Sequence, residues 1–172
     1  MKKQIVTLVG IFMLFITVQA NAQADKSKRA SPPAKVTETI KSGATVSVDY
    51  SQPSVKGREI GVELAPYGKV WRTGANEATI FEINKDVKIN GKTLAAGKYS
   101  LYSIPGKDEW TFIFNKTWKQ SGTKYTEADD ALRVTAKPMT HSTSMEKMTF
   151  KIEKSGDVNL YWGNIMVGFK VK

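Results

Sequence analysis

Apolar and polar residues alternate along most of this chain. In TVSVDY, Val46, Val48 and Tyr50 share one side, while Thr45, Ser47 and Asp49 take the other. EWTFIFN sets Trp110, Phe112 and Phe114 against Thr111, Ile113 and Asn115. KMTFKIE does the same with Met148, Phe150 and Ile152, and NIMVGFKVK with Ile165, Val167, Phe169 and Val171. Side chains of a strand project to opposite faces with a period of two, so each segment predicts a strand with one face on a core.

Turn chemistry punctuates these segments. Asn90-Gly91 between VKI and KTL predicts a two-residue hairpin, because both residues accept positive φ. Pro105-Gly106-Lys107-Asp108 and Lys154-Ser155-Gly156-Asp157 predict two further strand connections. One helix signal stands out, TEADDAL at 126–132, with Thr126 as N-cap and acids in the first turn. About 9–11 short strands and one short helix predict an all-β fold, an antiparallel, jelly-roll-like β-sandwich, with a closed barrel as the alternative. No internal repeat suggests a solenoid or propeller.

The first residues break the pattern. Lys2 and Lys3 precede an almost unbroken apolar run at 5–18, followed by Ala20-Asn21-Ala22. That is the layout of a secretory signal peptide cleaved after Ala22, since the run is shorter than the ~20 residues a spanning helix needs. The expectation is an exported protein, periplasmic or secreted, with no transmembrane segment in the mature chain. Residues 23–33, QADKSKRASPP, predict a flexible leader, and 34–172 a single domain.

Composition then narrows the chemistry. The chain has no cysteine, which excludes disulfides, thiolate metal sites, cysteine nucleophiles and an N-terminal lipid-anchor cysteine. Its net charge is +10, and +8 without Lys2 and Lys3. The lysines are scattered singly apart from Lys26, Lys28 and Arg29, a distribution that favours solubility over a nucleic-acid partner. His141 is the only histidine, so no multi-histidine metal site can form, and no phosphate loop or dinucleotide fingerprint is present. No cofactor is implied.

Three features remain as candidate chemistry. His141 lies among Ser142 and Ser144, without a nucleophile elbow to mark a triad. Asp129-Asp130 suits a helix start. Glu77 and Glu82 fall on opposite faces of a strand, leaving Glu77 to pair with a carboxylate from elsewhere, such as Asp49. The densest group is in YSQPSVKGREI and PYGKVWRTGANEATIFE, which supply Arg58, Tyr67, Trp71, Arg72, Asn76 and Glu77 around glycine turns. Arginine grips oxyanions in bidentate fashion and flat aromatic rings support sugars, so these six predict a non-catalytic cleft for a small anionic or carbohydrate ligand. Two alternatives carry weight: a hydrolase with Glu77 or His141 as general base, and an envelope interaction protein with a basic surface. Within the loop itself, Arg72 paired with Glu77 or Glu59 would act as a structural clamp.

The same stretches, with INGKTLAAGKYSLYSIPGKDEWTFIFNK, resemble a family of exported bacterial proteins, domain of unknown function 2911. The resemblance spans about 31–171 and implies an all-β, secreted or periplasmic domain. It brings no catalytic residues with it.

Overall fold

The computed structural model describes residues 25–119 and 122–172; the expected signal peptide and its cleavage point lie outside them. Ten strands form: β1 (Pro33–Thr39), β2 (Thr45–Ser51), β3 (Thr79–Ile83), β4 (Val87–Ile89), β5 (Lys92–Leu94), β6 (Gly97–Ile104), β7 (Trp110–Asn115), β8 (Asp130–Ala136), β9 (Met139–Ile152) and β10 (Asp157–Lys170). One layer is a six-stranded antiparallel sheet in the order β1-β2-β3-β6-β7-β8. The other is built on the long β9–β10 hairpin. The small β4–β5 hairpin joins its edge, since Lys88 and Lys172 exchange backbone hydrogen bonds of 2.8 and 2.9 Å. Beyond β9, the Met148 amide donates to the Pro53 carbonyl and the Val55 amide to the Glu146 carbonyl.

The alternation read from the sequence becomes the core between these layers. Val46, Val48, Phe81, Phe112, Phe114, Met148 and Val167 are all buried to 0 % exposure. Phe169 of β10 reaches across and meets Phe81, Phe112 and Phe114 edge-on at 5.7, 5.0 and 5.2 Å between ring centres. The chain is therefore the expected antiparallel sandwich. Its six-stranded sheet ends in β1 at one edge and β8 at the other, without closing on itself. Asn90 (φ 48°) and Gly91 (φ 86°) make the predicted two-residue turn, with Ile89 opposite Lys92.

The 126–132 helix is replaced by something shorter. Residues Glu127–Asp129 form one 3-10 turn, Thr126 makes no side-chain cap, and strand β8 begins at Asp130. Seven residues are too few to nucleate a stable α-helix. Pairing with β7, from Trp110↔Ala136 to Asn115↔Asp130, satisfies the backbone instead. Among the described residues no helix is long and apolar enough to cross a membrane.

A second, smaller cluster covers the outer face of the six-stranded sheet: Ala78, Tyr102 and Ile113, flanked by Ile104 and Tyr125. Ile113, on the side opposite the main core, is buried for this reason. Around it runs a polar network. The Tyr125 hydroxyl donates to Asp130 at 2.8 Å, while Arg133 Nε donates to Asp130 at 2.8 Å and Nη2 to the Tyr125 oxygen at 2.6 Å. Asn115 donates to the other Asp130 oxygen at 2.9 Å. Burial, followed by the Asp130 carboxylate, pushes the Tyr125 phenol up to about 12. The fold thus favours the neutral phenol over the unfolded chain's value of about 10. Tyr125 should contribute stability that is fully present below pH ~10 and lost as the pH rises toward ~12. Alkaline titration at the tyrosinate absorbance band should show a late step that Tyr125→Phe deletes; an unchanged titration would contradict the network.

Candidate functional site

The six residues singled out in the sequence do not converge on one cleft. Arg58 is exposed, and its guanidinium donates to the Val55 carbonyl at 3.2 Å and the Ser54 carbonyl at 2.8 Å, holding its own turn. Trp71 is half-buried, stacked on Trp162 (5.4 Å, 11°) and edge-on to Trp110 (6.2 Å, 80°), with its indole N–H on the Gly74 carbonyl at 3.1 Å. It is a wall of the core rather than an open platform.

Arg72 runs beneath residue 122, where a Cβ would lie 2.3 Å from its Cδ, and its Nε is buried without a partner among the described residues. It makes no described ion pair with Glu77 or Glu59. Asn76 donates to the Ser31 carbonyl at 3.0 Å. Both oxygens of Glu77 accept from Arg29 Nη1, at 3.0 and 2.9 Å, and Lys26 lies 3.5 Å away. Residues just before β1 therefore meet the 76–77 turn.

These pairings decide what Glu77 can do. A bond from its own backbone amide, then Arg29 and Lys26, hold the carboxyl below its ordinary value. It lines a cavity of about 170 Å³ together with Asp49, the carboxylate considered as its partner from the sequence, but Arg29 and Lys26 line the same space. Glu77 is thus an ion-paired anion, poorly matched to a general base, whose value must lie near the working pH. Its pairs are half-exposed, and such pairs contribute ~1 kcal/mol or less. A carboxyl with a depressed value stabilises above its unfolded value, and that contribution fades as the pH falls through the folded one. Glu77→Gln should therefore shift Tm by no more than ~4 °C at neutral pH and by less in acid. A larger loss on thermal melting would mean that the carboxylate has a deeper structural role.

His141 is equally plain. Its Nδ1–H donates to the Thr143 carbonyl at 2.7 Å and its ring sits edge-on to Tyr161 at 5.1 Å. No described hydroxyl or carboxylate bonds the ring.

Tyr67 alone of the six opens onto a different cavity. Its ring lies over Gly61, which has φ +95°; a Cβ there would fall 2.1 Å from Tyr67 Cζ. It faces a cleft of about 160 Å³ lined by Lys107, Trp110, Pro138, Met139, Thr140, Asn164 and Ile165 as well. These come from the β6–β7 turn and the start of β7, the β8–β9 connection and the start of β9, and the middle of β10. A register shift on either side of Gly163 turns Asn164 out of the regular alternation. Tyr67, Trp110, Pro138, Met139 and Ile165 contribute apolar surface, and the polar side chains are Lys107, Thr140, Asn164 and the Tyr67 phenol, with the Asn164 amide also donating to the His141 carbonyl at 3.1 Å. Trp110 is only 1 % exposed, and its indole Nε1 has no acceptor among the described residues. A buried donor left unpaired costs about 1–3 kcal/mol. Trp162 carries a second indole N–H without an acceptor among the described residues, behind Trp71.

Residues 31–171 match the model of a family described as Protein of unknown function (DUF2911). The chain belongs to that family. No curated protein and no solved structure matches it. The match runs from just before β1 to the last residues after β10, so both walls of the Tyr67 cleft belong to the DUF2911 domain. Of the lining residues, the sequence marks Tyr67 as a ligand candidate, Trp110 as core and Lys107 as part of a turn. The break in alternation at Trp162-Gly163-Asn164 was the available signal for the remaining wall.

Proposed function

We propose that this DUF2911 chain is an exported, non-catalytic binding domain that takes a small anionic or carbohydrate ligand in the cleft between Tyr67, Lys107, Trp110, Thr140 and Asn164. The observation that carries the reading is the combination of aromatic walls with a few converging polar groups, the usual composition of a small-molecule site. Its volume lies below the ~300 Å³ at which drug-sized pockets begin, so the ligand is of single-sugar or small-acid size. Tyr67 offers a ring face, Thr140 and the part of the Asn164 carboxamide not donated to the His141 carbonyl exchange hydrogen bonds with hydroxyls, and Lys107 attracts a carboxylate. The apolar run at 5–18 supports export.

The competing reading, a hydrolase, draws less support, because neither Glu77 nor His141 has a described nucleophile or proton-transfer partner at hand. A panel of glucuronate, glucose and inorganic sulfate, scored by thermal shift, tests the binding reading, since a ligand bound to the fold raises its stability by mass action. Glucuronate should stabilise the domain and Tyr67→Ala should abolish that shift. Lys107→Gln should weaken glucuronate about tenfold or more, the ~1.5–3 kcal/mol of a charged hydrogen bond, and leave glucose unchanged. No shift with any of the three at millimolar levels would refute the assignment.

A further inference from the structure

At the far end of β10 from Asn164, the seam between β4 and β10 brings like charges together. Lys88 and Lys172 exchange both backbone hydrogen bonds, so they lie directly opposite each other and project to the same face. Both are exposed, and among the described residues neither ammonium makes an ion pair. Like charges directly opposite destabilise a sheet. A third cation, Lys170, lies two residues from Lys172 on that face, its ammonium 2.7 Å from Asp157. Two hollows flank the pair. One, of about 310 Å³, includes Asp86; the other, of about 390 Å³, is lined by Lys88, Asn90, Gly91, Lys170 and Lys172, with no Asp or Glu side chain among them.

We infer that this second hollow is an oxyanion site, taking a phosphate or sulfate group between Lys88 and Lys172. A doubly charged tetrahedral anion bridges two ammonium groups and converts their repulsion into attraction. The Asn90-Gly91 turn keeps the rim low, leaving the hollow open to an anion on a larger molecule. Asp157 competes for Lys170 and sets the limit on affinity. The site is separate from the Tyr67 cleft: Asn164 and Lys170 are six positions, about 20 Å, apart along the strand.

The test is an NMR titration of the mature chain, without the expected signal peptide, with inorganic phosphate, following the backbone amides of 88, 90 and 172. Saturable shifts confined to this seam are expected. Lys88→Gln and Lys172→Gln should each weaken binding about tenfold while raising Tm, because each relieves the repulsion. Asp157→Asn should tighten binding, and Lys69→Gln, away from the seam, should change nothing. Vesicles of anionic phospholipid identify the source. Retention on vesicles that phosphate reverses points to a headgroup, and phosphate binding without vesicle retention to a soluble ester; both support the site. Vesicle binding that phosphate cannot displace, unsaturable shifts spread over all lysines, or unchanged affinity in both lysine variants would overturn it.

Discussion

Phe169→Ala should be among the most destabilising single substitutions in the protein, lowering Tm by about 6–20 °C. The ring is 4 % exposed and is the point at which the second layer meets Phe81 of β3 and both Phe112 and Phe114 of β7. Truncating a buried phenylalanine costs about 3–5 kcal/mol, the lost transfer energy plus the cavity left behind. In a domain of this size each kcal/mol corresponds to roughly 2–4 °C. Phe169→Leu keeps most of the volume and should recover much of the loss. Thermal melts of the two variants check this directly. A fall of only a degree or two for the alanine would mean that β10 does not pack across the six-stranded sheet.

The second large effect joins stability to the cleft. Gly61→Ala adds a methyl group where the Tyr67 ring now lies, 2.1 Å from Cζ, at a backbone angle (φ +95°) that side chains rarely adopt. The ring must leave, and strain of roughly 1–2 kcal/mol adds to roughly 1.5–3 kcal/mol of lost aromatic burial. A loss of about 2.5–5 kcal/mol follows, or ~5–20 °C in Tm. Below the melt, the folded variant should also fail to bind glucuronate, since one wall of its site is displaced. Tyr67→Ala separates the two effects, removing the ring without straining residue 61, so it should lose binding with a smaller drop in Tm. A Gly61→Ala protein that binds as wild type would show that the Tyr67 ring has no part in recognition.

The strands were readable because their physics is local. Val46, Val48 and Tyr50, or Met148, Phe150 and Ile152, need only a period of two to mark the inner face, and each is buried. Asn90-Gly91 specified its turn through backbone freedom alone. Ile113 was assigned to the polar side and is nevertheless buried, because Tyr102 and Tyr125 cover the outer face from distant positions. TEADDAL read as a helix from its acids, while the decisive factor was the free edge of β7, which a local pattern does not contain. The group Arg58, Tyr67, Trp71, Arg72, Asn76 and Glu77 is compact in sequence and dispersed in space. Its backbone makes repeated reversals, with positive φ at Lys56, Ala65, Thr73 and Asn76 as well as at Gly57, Gly61 and Gly68. Such reversals send neighbours in different directions: Trp71 into the core, Glu77 to Arg29, Tyr67 to the cleft. The cleft itself joins residues 67, 107, 110, 140 and 164, and the register of β9 on β10 that aligns them contains two shifts.

Recognition of a small acid or sugar by Trp110 and its neighbours is tested most directly by one spectrum. In the chain without its expected signal peptide, titration with glucuronate should move the Trp110 indole N–H resonance saturably, with the Asn164 carboxamide and the Thr140 amide following the same curve. The signals of Arg29, Asn76 and Glu77 should stay in place. If the Trp110 indole is unmoved while the Arg29–Glu77 group responds, the cleft is the wrong site. If nothing responds at millimolar concentrations, the binding reading itself is contradicted.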